Sequence, residues 1–324
     1  MIPSKPKILI AGSGAIGSVF GGLLREAGHE VTLLGRDWHL RAIESSGLEI
    51  SGIWGDHRAE GFRLATSVAD LSETYDLVLV SVKAYDTRQM VHEVTPYLGP
   101  RGLAIALQNG LGNLETLVEV FGPERSLGGS VPIGARIPGP GKVTVTVYAA
   151  PVVIGPFDSS STGCMELTQF WASVFSHVGI PCEPTDQILP HLWAKVLYNA
   201  PLNPLGAILG VHYGALGEEQ GLKAIMDRII DEVFRVGQKR GVRLLWKSAD
   251  EYRELFYGKL LPATYDHQSS MLQDLERGRR TEIDALNGKI WRYGAELGIP
   301  TPFNEAVTQL IRGRESYPPP RREG

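Results

Sequence analysis

The chain has little of several things, and each shortage excludes something. Two cysteines occur in 324 residues, Cys164 and Cys182. Their spacing matches no metal motif, so they read as reduced thiols of a cytoplasmic protein rather than a disulfide framework. The eight histidines form no pair such as H-E-x-x-H, and no metal is expected. No apolar run approaches the length of a membrane span, and the start, MIPSKPK, leads into no signal-peptide core. Basic residues are not in excess: the net charge is −4, which argues against a nucleic-acid footprint. What remains is a soluble chain, 43% apolar, long enough for two domains.

The clearest positive signal is Lys7 to Ser18, KILIAGSGAIGS. A short apolar run stops in Gly12-Ser13-Gly14-Ala15-Ile16-Gly17, which fits the dinucleotide fingerprint. Gly12 lets the chain turn out of a strand, and Gly14 clears space for a pyrophosphate. Gly17 lets the next helix lie close to the strand. That helix would open near Ala15 with unpaired N–H groups facing the phosphate. The second strand, Val31 to Leu34, ends in Gly35-Arg36. NAD-binding versions carry an acid there to take the ribose hydroxyl. An arginine suits a 2′-phosphate instead, so the cofactor expected is NADP(H). Asp37, one residue on, keeps NAD as the alternative.

Strand and helix patterns then alternate, as in a parallel sheet. A helix is expected over Trp38 to Ser46, then short strands between Gly47 and Phe62. Asp76 to Val82 reads as a central strand closed by Lys83. Leu103 to Leu107 reads as another, ending in Gln108-Asn109-Gly110. Further strands are expected at 127–137, 142–147, 152–155 and 180–183, with a helix over 164–177. From Asp186 onward the patterns are helical: 188–199, 222–240, about 265–275, 282–297 and 303–314. The boundary is set near Thr185, giving domains 1–185 and 186–324. The proline- and arginine-rich tail from about Ser316 is expected to be disordered. In an open parallel sheet, ligands bind beyond the carboxyl ends of the strands. The glycine turn, Arg36, Lys83 and Asn109 all fall at such ends. In the helical half, Lys195, Asn199 and Asn203 are spaced i, i+4, i+8 and share one helix face. Pro201 lies between the asparagines, so the stripe holds only if the helix passes through it.

Taken together, GSGAIG with Arg36, SVKAYDT around Lys83, QNGLGN around Asn109, LWAKVLYNAPLNPLGAILG from Leu192 and SSMLQDLERGRRTEIDALNG from Ser269 resemble the ketopantoate reductase family. The resemblance covers roughly residues 7–312 of the sequence. It implies a Rossmann-type α/β domain followed by an all-helical domain, with the active site in the cleft between them. It implies NADPH-dependent reduction of a small 2-keto acid, ketopantoate to pantoate in pantothenate synthesis. Lys195 would be the general acid, assisted by Glu282. Asn109 would lie near both nicotinamide and substrate, and Lys83 would be a cofactor-side or active-site lysine. Asn199, Asn203 and Ser270 would bind substrate. A homodimer is implied as well. The chain departs from the pattern at Tyr213-Gly214, where the family carries asparagine and glycine, and at Pro201. Two other readings remain: a hydroxyacid dehydrogenase with a different keto acid, and an NADP(H)-binding sensor without turnover.

Overall fold

A computed structural model describes residues 5–157 and 162–317. The chain divides into two compact units, residues 1–189 and 190–324.

The first unit is built on strands whose residues are buried on both faces. The strands of the main sheet are β1 (Lys7–Ala11), β2 (Glu30–Leu34), β5 (Arg63–Ala65), β6 (Tyr75–Val80), β7 (Leu98–Ala106), β8 (Ser126–Ser130), β11 (Val152–Pro156) and β12 (Cys182–Pro184). Ile8, Leu9, Ile10 and Ala11 are fully buried, as are Leu77 to Val80. Such unbroken apolar runs belong in the middle of a sheet covered on both sides. Their order is β12-β11-β8-β7-β6-β1-β2-β5. Neighbours are parallel throughout except β11 against β8. Helices α1 (Ala15–Glu26), α2 (Asp37–Ser46), α3 (Thr87–Val94), α4 (Asn113–Phe121) and α5 (Thr162–His177) connect the strands. A second sheet has the order β4-β3-β10-β9, from β3 (Leu48–Gly52), β4 (His57–Ala59), β9 (Ile133–Gly139) and β10 (Lys142–Tyr148). The sequence shows these strands but not their pairing, because β3 meets β10 across some ninety residues of chain. Cys164 and Cys182 are buried free thiols.

The second unit is helical. Helix α6 (Leu189–Leu209) is followed by α7 (Tyr213–Glu218) and α8 (Gln220–Lys239). Then come α9 (Ala249–Leu255), a π-helical segment (Phe256–Leu260), α10 (Leu261–Ala263), α11 (Ser270–Glu276), α12 (Asn287–Leu297) and α13 (Pro302–Ser316). Helix α8 buries Met226, Ile229, Ile230, Val233, Phe234 and Gly237, the stripe expected of an amphipathic helix. Helix α6 does not stop at Asn199 as its sequence suggests. It runs through Pro201 and Pro204 to Leu209. Pro204 cannot donate to the Ala200 carbonyl. The Asn287 side chain does so instead, at 2.9 Å, so the carbonyl that Pro204 leaves without a helical partner is satisfied. Asn287 also donates to Asn304 at 3.0 Å. Asn304 and Phe303 in turn give their backbone N–H groups to buried Glu232, whose carboxylate caps α13.

Two further expectations change. The stretch around Tyr265 is not helical until Ser270, because Ser269 is the N-cap of α11 and accepts from the Leu272 N–H at 3.0 Å. Ser316 is the last residue of α13 rather than the start of a disordered tail, and its hydroxyl donates to the Arg312 carbonyl. The rest of that tail, 318–324, lies outside the described residues. Among the described residues, no helix is long and apolar enough to cross a membrane. No group of three or more His, Cys, Asp or Glu among them could hold a metal ion.

Candidate active site

In the first unit, register gathers the predicted residues along one rim. Leu34 lies beside Ala11, Ala11 beside Val80, and Val80 beside Ala106. The next residues in each case, Gly35, Gly12, Ser81 and Leu107, therefore leave the sheet at the same level. Backbone bonds tie these exits together: Gly12 N–H to Leu34 at 3.0 Å, Ser81 N–H to Ala11 at 2.9 Å, and Leu107 N–H to Val80 at 2.9 Å.

The glycine turn is held by packing that no side chain could share. Gly12 has φ +114°, and a Cβ there would lie 2.5 Å from the Val82 nitrogen. A Cβ on Gly17 would lie 2.2 Å from the Gly12 carbonyl oxygen. Gly14 differs: the nearest atom to a Cβ there is 4.0 Å away. The fold itself therefore leaves the space above Gly14 open. Helix α1 starts at Ala15 with Gly14 as N-cap, no side-chain cap and no acid in its first turn. The first N–H groups of a helix have no partner within it, so those of Ala15, Ile16 and Gly17 could hold an anion. Ser13 plays a different part. Its hydroxyl donates to the Leu34 carbonyl at 3.0 Å and its N–H bonds the same oxygen, so it ties the turn to β2.

Arg36 is exposed at the N-cap of α2. Asp37, the alternative ribose partner, has its carboxylate on Arg41 at 2.8 Å. Lys83 is half-buried and caps a short turn, Ala84–Asp86. Asn109 is half-buried, and a chain of side chains behind it sets its backbone. Gln108 donates to Thr87 at 2.8 Å, Thr87 to Asn113 at 2.8 Å, and Asn113 to the Asn109 carbonyl at 3.0 Å. Sequence reasoning missed this chain, and it missed Ser81, whose hydroxyl holds the Gly12 carbonyl at 2.7 Å. Ser81 lies two residues before Lys83 and Gln108 one before Asn109, and that nearness is the only sequence signal for either.

In the second unit, Lys195, Asn199 and Asn203 lie on one continuous helix, α6. Asn199 and Asn203 are buried and Lys195 is half-buried. Burial pushes the Lys195 amine down from 10.5 to about 8, while the Glu282 carboxylate pulls the other way. Desolvation outweighs the attraction of the Glu282 charge. Glu282 does not open a long helix. It caps a single turn, Ile283–Ala285, ahead of α12. Neighbouring Asp284 is held by Arg312 at 2.5 Å and by Arg280 at 3.1 Å, which fixes the turn that carries Glu282. Ser270 is exposed at the first position of α11. Chemically, this unit offers a proton donor poised near neutral pH and amide groups able to orient a polar ligand.

The sequence model described as Ketopantoate reductase PanE/ApbA matches residues 8–159, and the one for its C-terminal part matches 187–315. The chain belongs to the ketopantoate reductase family. It is thus a member of a family of oxidoreductases. The 2-dehydropantoate 2-reductase of Aquifex aeolicus is 38% identical over 311 residues, covering 96% of this chain and 97% of that one. The crystal structure of a PanE/ApbA family ketopantoate reductase from Ralstonia eutropha JMP134 is 34% identical with a TM-score of 0.85. That match covers 96% of this chain and 98% of the other. A ternary structure of D-mandelate dehydrogenase with NADH and anilino(oxo)acetate also has a TM-score of 0.85, at 26% identity and with 96% and 98% covered.

Proposed function

We propose that the protein reduces 2-dehydropantoate to pantoate with NADPH. The first unit would bind the dinucleotide through the Gly12–Gly17 turn and the N-terminus of α1, with Arg36 taking the 2′-phosphate. The engagement of Asp37 by Arg41 favours that reading over a ribose-binding acid. Lys83 and Asn109, on the same rim, would meet the nicotinamide end. When bound, the cofactor supplies a hydride to the keto carbon. Lys195 gives its proton to the carbonyl oxygen as charge builds there, and Glu282 holds the ammonium form. Asn199, Asn203 and Ser270 orient the substrate. The observation that carries this reading is the stripe of Lys195, Asn199 and Asn203 along the one helix α6, with the Lys195 amine lowered by burial and drawn the other way by the Glu282 charge. A lysine so poised is protonated at neutral pH yet gives its proton up readily. The setting proposed is cytoplasmic, as a homodimer.

The test is NADPH oxidation against a panel containing ketopantoate, pyruvate, 2-oxoisovalerate and phenylglyoxylate, each repeated with NADH. Turnover highest with ketopantoate and NADPH is expected. Preference for phenylglyoxylate would assign a different keto acid, the reading that the D-mandelate dehydrogenase likeness favours. Tight NADPH binding with no turnover would indicate a sensor.

A further inference from the structure

We infer that Tyr213 is a positioning residue that fixes which end of the Asn203 amide meets the substrate. The inference rests on the reading of Asn203 as a substrate-binding residue. Tyr213 is the first residue of α7. It is buried, and so is Asn203. Its hydroxyl donates to Asn203 Oδ1 at 2.5 Å.

The ring that carries the hydroxyl is held on several sides. The Tyr213 N–H donates to the His267 carbonyl at 3.0 Å, and the next N–H, of Gly214, to the Tyr265 carbonyl at 2.8 Å. The ring lies edge-on to Tyr198, with centroids 6.1 Å apart, and beside His267 at 5.1 Å. Asn203 is held from behind as well, since its backbone carbonyl accepts from the Ser269 hydroxyl at 3.3 Å. Burial keeps the Tyr213 phenol protonated far above neutral pH, so the donor is present under all working conditions.

A primary amide has an accepting end and a donating end, and they are nearly the same shape. Rotating Asn203 by half a turn would place its N–H2 against the phenol and strand the buried O–H. An unsatisfied buried donor is costly enough to disfavour that orientation by about tenfold or more. With Oδ1 committed to Tyr213, the end left to meet a ligand is N–H2. That end suits a 2-keto acid, whose carboxylate and carbonyl oxygens only accept.

The test is a double-mutant cycle of Tyr213→Phe and Asn203→Ala, read by steady-state kinetics on whichever keto acid the wild type reduces. Thermal melts confirm folding. Tyr213→Phe is expected to raise KM about 5–10-fold with kcat and NADPH affinity little changed. In the Asn203→Ala background the same substitution should change KM less than about twofold, because the group it acts through is gone. An unchanged KM in Tyr213→Phe, or an equal effect in both backgrounds, would overturn the inference. A second readout needs no turnover: the side-chain amide NMR signals of Asn203, assigned by their loss in Asn203→Ala. These should move in ligand-free Tyr213→Phe, and identical signals would also overturn the inference. A wild type that reduces no keto acid would count against the reductase reading alone, and the amide signals would still decide this one.

Discussion

Replacing Glu282 with glutamine tests the proposed proton donor, Lys195. In the wild type two effects act on Lys195: burial lowers its pKa, and the Glu282 carboxylate raises it, with about 8 as the result. Removing the carboxylate leaves burial unopposed, so the pKa must fall further. An opposite charge nearby is typically worth about 1–3 units. With a fall of one unit, the protonated fraction at pH 8 drops from about a half to about a tenth. With Lys195 as the proposed acid, reduction needs the ammonium form, so the alkaline limb of kcat should move toward acid by at least about one unit. The reverse reaction needs the neutral amine, and its rising limb should move the same way. The assay is kcat against pH in both directions, for wild type and Glu282→Gln. A limb that stays near pH 8, or moves toward alkali, would refute the assignment of that limb to Lys195.

Further outcomes follow from the same geometry. A charged lysine held down from 10.5 to about 8 destabilises the fold. The folded state binds fewer protons than the unfolded one between those values, so Lys195 makes stability rise with pH across that window. Lys195→Met should raise stability at pH 7 by at most about 3 kcal/mol while abolishing turnover; a lower Tm would contradict this. Gly14→Ala should keep its Tm and lose dinucleotide affinity, whereas Gly17→Ala should lose stability, since its Cβ would lie 2.2 Å from a carbonyl oxygen. Equal Tm losses in both would contradict the anion site. Arg36→Ala should weaken NADPH binding far more than NADH binding, checked by fluorescence titration. Asn287→Leu removes the donor to the Ala200 carbonyl and should cost about 1–3 kcal/mol in denaturant unfolding.

Much of the first unit is legible because its signals are local. Period, β-branched runs and the glycine turn place β1, β2, β6 and β7, and parallel register then brings Gly12, Arg36, Lys83 and Asn109 to one rim. The second sheet is not legible, since nothing near Leu48 announces Lys142 as a partner. In the helical unit the prolines mislead. Pro201 reads as a break, yet the helix continues past it and past Pro204, where the donor that replaces the missing N–H is Asn287, 87 residues from the Ala200 carbonyl it serves. The spacing of Lys195, Asn199 and Asn203 is visible in sequence, while the pKa of Lys195 depends on burial that only packing reveals. Tyr213 shows as a departure from a pattern, and its contact with Asn203 is visible only in three dimensions.

The central claim is that Lys195 protonates the developing alkoxide. Single-turnover hydride transfer from bound NADPH to ketopantoate, in wild type and Lys195→Ala, tests it most directly. The variant should bind NADPH as tightly as the wild type and transfer hydride at least about 10²-fold more slowly. Transfer at the wild-type rate would contradict the account.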